Sequence, residues 1–252
     1  IDQTKALEKI NKDMKSKQKM FRLLQGDVGS GKTIVSVIAA LNAVKAGYQV
    51  AIMAPTEILA NQHYKYIINN FKKYCNSEIL TGKTEYRQRK KILNDLLNKK
   101  IDVLIGTHAL FQNKITYNNL GLIIIDEQHK FGVNQRKKLS DKGGNNCDVL
   151  VMSATPIPRT MMMTIYGDMD ISLIKSKPKN RKPIKTYSKN ETKIDEVIKF
   201  IESEILKKNQ IFWVCPLIKE SQKIDHQSAI EKYKYLSKIL KYNVDIIHGS
   251  MN

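Results

Sequence analysis

Residues Gly26-Asp27-Val28-Gly29-Ser30-Gly31-Lys32-Thr33 read G-x-x-x-x-G-K-T, a spacing that suits a chain of phosphates. Glycines let the backbone curl so that successive N–H groups face an anion. A helix beginning near Lys32 adds the positive end of its dipole. The Lys32 ammonium then reaches the β- and γ-phosphates, and the Thr33 hydroxyl is placed to bind Mg²⁺. A flexible Gly/Ser turn is the competing explanation. The apolar run Phe21–Gln25 before the loop and the apolar helical pattern Ile34, Val35, Val37, Ile38, Leu41 and Val44 after it argue against that.

A second anchor lies about 95 residues on, in Leu122-Ile123-Ile124-Ile125-Asp126-Glu127-Gln128-His129. A buried strand ending in two carboxylates beside a Mg²⁺–triphosphate is a Walker B arrangement. Asp126 would hold the metal through water, and Glu127 would act as general base on the attacking water. His129 would sense the γ-phosphate or pass its state onward, with Gln128 beside it as a coupling residue. Ser153-Ala154-Thr155 places two hydroxyls where they can bond to the Asp126–His129 turn and relay nucleotide state to domain movement. Small hydroxyl residues also finish strands for purely local reasons, so this triplet gains meaning only beside the acidic pair.

Three further strand ends carry small polar residues: Pro55-Thr56, Thr81-Gly82 and Thr107-His108. Together they would offer N–H and hydroxyl groups along one sheet edge to a nucleic-acid backbone. Ordinary capping explains each taken singly; Thr56 in particular is a good helix N-cap.

These residues need a scaffold. Apolar strand-like runs at Phe21–Gln25, Gln49–Met53, Ser77–Leu80, Asp102–Ile105, Leu122–Asp126 and Asp148–Ser153 alternate with helical patterns near Lys32–Ala46, Glu57–Tyr74, Glu85–Asn98 and Gln135–Leu139. Near-continuous apolar strands are buried on both faces, which predicts an α/β fold with a parallel sheet flanked by helices. In such sheets ligands sit at the carboxyl ends of the strands, where the loop and Asp126 both fall. The run Lys175–Pro183, rich in lysine and proline, reads as an exposed linker. The expected division is residues 1–174, a linker at 175–184, and an incomplete second unit at 185–252. That second unit would hold helices near Lys193–Lys207 and Ala229–Leu240 and strands at Ile211–Cys215 and Val244–His248. Trp213 is expected in its core.

The 252 residues carry 43 Lys and Arg against 24 Asp and Glu, a formal charge of +19. That suits a nucleic-acid partner, although codon drift in an AT-rich genome inflates lysine too. Cys75, Cys147 and Cys215 lie far apart with no CxxC pair, which disfavours a zinc site or disulfide framework and fits a reducing cytoplasm. No apolar run approaches the ~18 residues of a membrane span. No signal peptide is expected, and a start at Ile1 fits a fragment.

The ordered motifs G-D-V-G-S-G-K-T, A-P-T-E-I-L-A-N-Q-H (Ala54–His63), G-T-H-A-L (Gly106–Leu110), I-I-D-E-Q-H-K-F-G-V (Ile124–Val133) and V-M-S-A-T-P-I-P-R-T (Val151–Thr160) resemble those of superfamily-two helicases. The D-E-Q-H form, F-G-V-N-Q-R beyond it, and Y-G-D-M-D (Tyr166–Asp170) most resemble the RecG type of branched-DNA helicase. The transcription-repair coupling translocases are the near alternative. The resemblance implies a RecA-like P-loop domain followed by the first part of a second one. It implies use of ATP with Mg²⁺ and action on branched or forked duplex DNA in recombination and repair. It also implies that Gln3 reads adenine beside the loop residues Gly26 to Thr33. Lys130, Lys175, Asn180 and Ser250 depart from the family pattern, and the junction-binding wedge and later motifs are not in this sequence. The chain is therefore expected to be nearly inactive alone, with a second polypeptide as one source of the missing parts. A non-catalytic DNA-binding remnant is the other reading.

Overall fold

The computed structural model describes residues 2–111, 115–127, 147–155, 169–176, 184–216, 228–249 and 251. Two compact units result, Ile1–Lys182 and Pro183–Asn252.

The first unit is built on seven strands: β1 (Phe21–Gly26), β2 (Gln49–Met53), β3 (Ser77–Leu80), β4 (Val103–Gly106), β5 (Leu120–Asp126), β6 (Asp148–Ser153) and β7 (Asp170–Ile174). They form one sheet in the order β3-β4-β2-β5-β6-β1-β7, and every neighbouring pair is parallel. Among the described residues four α-helices accompany it: α1 (Asp2–Met14), α2 (Lys32–Lys45), α3 (Glu57–Phe71) and α4 (Tyr86–Leu97). The parallel sheet flanked by helices is therefore as the alternating pattern predicts.

Strand side chains alternate between two apolar layers. Leu24, Val50, Ile52, Val103, Ile105, Leu122, Ile124, Leu150 and Met152 pack with Ala6 and Ile10 of α1, Val35 and Ala39 of α2, and Ala60 and Ile67 of α3. Leu23, Ala51, Met53, Leu104, Ile123, Ile125, Val149 and Val151 pack with Ile92 and Leu96 of α4 on the opposite face. Burying each such side chain stabilises by about 1.5–3 kcal/mol, so two filled layers hold the strand ends firmly.

Two elements were not anticipated. Helix α1 is lysine-rich, and its buried stripe is only Ala6 and Ile10, with Leu7 and Met14 partly covered. Strand β7 is an edge strand whose residues alternate between buried and exposed, so it lacks a continuous apolar run. It is tied to the interior through Arg22. That buried side chain bonds Asp13 Oδ2 at 2.6 Å and Ser172 Oγ at 3.0 Å.

The second unit has α5 (Ile194–Leu206) and α6 (Ala229–Ile239), packed through Ile198, Ile201, Leu236 and Leu240. Helix α6 opens on a capping box between Ser228 and Glu231. The strands expected at 211–215 and 244–248 are not formed. A parallel strand exists only through its ladder, and these segments have no strand partner among the described residues. Phe212, Val214 and Ile247 are accordingly exposed. Trp213 is not a core residue either. It is 36% exposed, and the Lys232 ammonium sits 5.1 Å from its ring centroid.

The expected helix at Gln135–Leu139 and most of the expected linker lie outside the described residues.

Candidate phosphate-binding and acidic site

Strand β1 ends at Gly26, and the chain turns through the loop into α2. Gly29 and Gly31 take positive φ values of 79° and 90°, which glycine alone adopts without strain. A Cβ at Gly31 would fall 2.1 Å from the Gln3 amide nitrogen. Gln3 donates through that nitrogen to the Ser30 carbonyl at 2.8 Å, so the first turn of α1 lies against the loop. Inside the loop, Lys32 Nζ donates to the carbonyls of Gly26 at 2.7 Å and Asp27 at 3.1 Å. The Asp27 carboxylate accepts from the Val28 N–H at 2.8 Å. Ser30 Oγ is buried and has no hydrogen-bond partner among the described residues. Thr33, half-buried, sits in the first turn of α2.

Strand order puts the acidic pair beside this loop. Only β6 separates β1 from β5, so their carboxyl ends lie roughly 10 Å apart at ordinary strand spacing. Register aligns Gln25 with Ser153 and Asp126 with Met152. The electrostatics agree. Burial lowers the Lys32 pKa, and the carboxylates of Glu127, Asp126 and Asp27 oppose that shift. Glu127 has φ +50°, a left-handed conformation that costs a bulky residue about 1–2 kcal/mol and is typical of a functional turn.

Ser153, wholly buried, shares a hydrogen bond with Thr155 Oγ1 at 3.0 Å and accepts from the Thr155 N–H at 3.2 Å. Gln25 Nε2 donates to the Thr155 carbonyl at 3.0 Å. The Ser-Ala-Thr turn is thereby joined to the strand that feeds the phosphate loop. Gln128 and His129 lie outside the described residues.

The three strand-end pairs divide. Thr56 caps α3, its hydroxyl accepting from the Leu59 N–H at 3.3 Å, and remains exposed. Pro55 is half-buried beside it and Gly82 is exposed. The Glu57–Lys83 pair at 3.4 Å links the two turns. Thr81 and Thr107 are each only 8% exposed. The Thr81 hydroxyl accepts from the Lys83 N–H at 3.3 Å, and the Thr107 carbonyl accepts from the Leu110 N–H at 3.0 Å. These two threonines close turns rather than present hydroxyls to solvent. His108 begins a short 3₁₀ turn.

One site residue escaped sequence reading. His63, buried on α3, places Nε2 2.8 Å from Asp126 Oδ2. Its signal is a histidine in the sheet-facing stripe Ala60, His63, Ile67.

The site fits a Mg²⁺–nucleotide. A glycine-shaped cradle, a lysine, an orphaned buried hydroxyl and a Thr/Asp pair are the donors such a ligand needs. Among the described residues no group of three or more His, Cys, Asp or Glu is placed to hold a metal ion by itself. A hard cation held by Thr33 and Asp126 would draw its other oxygens from phosphate and water, as Mg²⁺ does. Among the described residues no helix is long and apolar enough to cross a membrane.

Comparison with known proteins gives a consistent picture. The family model for DEAD/DEAH box helicases matches residues 2–164. The chain is 47% identical over 253 aligned positions to the ATP-dependent DNA helicase RecG of Bacillus subtilis, covering 99% of this chain and 37% of that protein. It is 46% identical to RecG of Thermotoga maritima, covering 99% and 32%. A solved structure of RecG bound to a three-way DNA junction matches with a TM-score of 0.77 at 44% identity, over 94% of this chain and 31% of that one. The Mycobacterium smegmatis helicase Lhr bound to ssDNA and AMP-PNP shares the fold, with a TM-score of 0.53 at 17% identity. The chain spans about a third of the length of the curated relatives it matches.

Proposed function

Because this chain belongs to the DEAD/DEAH box helicase family, we propose that it is the nucleotide-binding core of a RecG-type, ATP-dependent helicase that remodels branched DNA in the cytoplasm. The family uses ATP. The finer reading, Mg²⁺–ATP held by these particular residues, rests on one observation above the others. The ammonium of Lys32 lies within electrostatic reach of both Asp126 and Glu127, so groups 94 and 95 positions apart serve one pocket.

In this reading the loop N–H groups and Lys32 bind and orient the phosphates. Thr33 and Asp126 hold the metal, Asp126 through water. Glu127 accepts a proton from the attacking water at a carboxylate oxygen. Bound Mg²⁺ supplies charge neutralisation at the phosphate oxygens. The Gln3 amide, bonded to the Ser30 carbonyl of the loop, would read the base of a nucleotide seated there. The Ser153–Thr155 turn is the relay from this pocket, together with Gln128 and His129. The exposed edge at Pro55, Thr56 and Gly82 is the proposed DNA contact. Thr81, Thr107 and His108 support that edge.

The RecG relatives and the junction-bound structure favour branched DNA over other helicase substrates. Nothing in the fold or the relatives supports a second polypeptide.

Fluorescence titration with a labelled, non-hydrolysable ATP analogue tests the reading. Binding should tighten with Mg²⁺ and fall at least ~10-fold in Lys32→Ala, whose charge-assisted bonds are lost. A three-way DNA junction should bind in a nucleotide-dependent way. Unchanged analogue affinity in Lys32→Ala would sink the phosphate-loop reading. Nucleotide-independent DNA binding with a steep salt slope would instead indicate a purely electrostatic binding module.

A further inference from the structure

The His63–Asp126 contact joins two parts of the site that the proposed function treats separately. His63 Nε2 lies 2.8 Å from Asp126 Oδ2, in a position only partly open to solvent. A carboxylate has no proton to give, so the imidazole N–H donates. The bond sets the rotation of the carboxylate proposed to hold the metal.

The histidine stands on α3, whose first turn forms the exposed edge. Thr56 caps the helix, and Glu57 pairs with Lys83 across from Gly82. Asn61 donates to the Glu57 carbonyl at 2.8 Å, reinforcing that turn. From Thr56 to His63 is about two helical turns, roughly 10 Å. Over so short a span a helix packed through Ala60 and Ile67 moves as one body. A shift of its first turn must therefore carry the imidazole with it, and the imidazole must carry or release Asp126.

We propose that His63 is a positioning residue that couples DNA at the α3 N-terminus to the metal-holding carboxylate of Asp126. This inference rests on the nucleotide-binding reading above. It asks nothing of His63's protonation, only that its N–H reach Oδ2. Energetic coupling between two ligands requires an element that both bias, and α3 touches both sites.

The test is a linkage measurement on the whole chain. The dissociation constant of the labelled ATP analogue is measured with Mg²⁺ and with EDTA, each with and without a three-way DNA junction. The ratio of affinities with and without DNA in Mg²⁺ defines the coupling factor. In the parent it should exceed ~5. His63→Leu keeps bulk and removes the donor. It should bring the factor close to 1 and leave affinity in EDTA within about twofold of the parent. His63→Gln carries an amide donor near the position of Nε2 and should recover at least half of the parent's factor on a logarithmic scale. If the leucine variant does not fold, His63→Asn replaces it, since its shorter amide stops short of Asp126.

A merely structural histidine would lower the melting temperature of the donor-less variant without moving the factor. A factor unchanged in His63→Leu, a factor near 1 in the parent, or equal loss in His63→Gln and His63→Leu overturns the proposal. Lys32→Ala separates the two readings: its failure to weaken analogue binding strikes the pocket itself, whereas the His63 series can fail while the pocket stands.

Discussion

Gln3 donates its side-chain amide to the carbonyl of Ser30, and the same nitrogen fills the space a Cβ on Gly31 would need. The first turn of α1 and the phosphate loop are thus fitted to each other across 27 residues of sequence. Gly31→Ala forces a residue with a Cβ to hold φ +90° and displaces Gln3. Its cost should be about 1–2 kcal/mol for backbone strain plus about 1 kcal/mol for the lost bond. In a Gln3→Ala background the second part should vanish, giving a coupling of roughly 0.5–1.5 kcal/mol. Gly47→Ala is the control. It has φ +86° and nothing within 4 Å of its Cβ, so its cost should be strain alone, with no coupling to Gln3→Ala. Urea unfolding of the three single variants, the two double variants with Gln3→Ala and the parent decides this.

Asp148 gives a pH-dependent prediction. Burial raises its pKa, opposed by the Met20 N–H that bonds Oδ1 at 2.8 Å. A carboxyl whose folded pKa exceeds the unfolded one binds more protons when folded between those two values. Its contribution to stability therefore falls as pH rises through that window, and the cost is present in full above the folded pKa. Asp148→Asn keeps an oxygen acceptor for Met20 and removes the half-buried charge. It should unfold at a higher temperature than the parent at pH 7, and the difference should shrink as pH falls through the raised folded value toward the ordinary carboxylate value of 3.8, where it is gone. A constant difference across that range would contradict the assignment.

Gln49 holds the opposite end of the sheet. Its buried amide donates to the carbonyls of Leu96 at 2.7 Å and Ile101 at 2.9 Å and accepts from the N–H groups of Asn118 and Asn119 at 2.8 and 3.1 Å. Gln49→Leu preserves volume but strands four backbone groups at the starts of β4 and β5 and the end of α4. A loss of about 2–4 kcal/mol in chemical denaturation is expected, with little change in nucleotide affinity because the pocket lies at the other strand ends.

Charge removal should separate interior from surface. Asp13→Ala leaves Arg22, 7% exposed, with Ser172 and a longer contact of 3.5 Å to the exposed Asp170. Asp13 is partly solvated, so the loss should be roughly 2–3 kcal/mol rather than the larger figure for a fully buried pair. Lys83→Ala breaks the ion pair with Glu57, in which the lysine is 88% exposed. Its effect on stability should stay within about 0.5 kcal/mol. Melting curves of the two variants should differ plainly.

Local chemistry was readable from the order of residues alone. The Gly-rich loop, the apolar run into Asp126-Glu127 and the alternation of strand and helix depend on backbone freedom, capping and periodicity, which act over a few positions. Those same signals placed β2, β3 and β6 at their observed bounds, and the other predicted strands and helices of the first unit that fall on described residues to within a few residues. They failed where an element is defined by its neighbours. Strand β7 is an edge strand completed by β1, α1 is mostly polar, and the segments at 211–215 and 244–248 have no ladder among the described residues.

Adjacency was settled by the fold. The alternating pattern puts residues 26, 126 and 153 at carboxyl strand ends, but nothing in their spacing says which strands are neighbours or that residue 63 meets residue 126. That follows from the crossovers that insert β6 between β1 and β5 and lay α3 against the sheet. The same packing spends Thr81 and Thr107 on turn closure and points His63 at Asp126. Hydrogen-bond partners across the chain are chosen by three-dimensional proximity, and proximity comes from which apolar faces bury together.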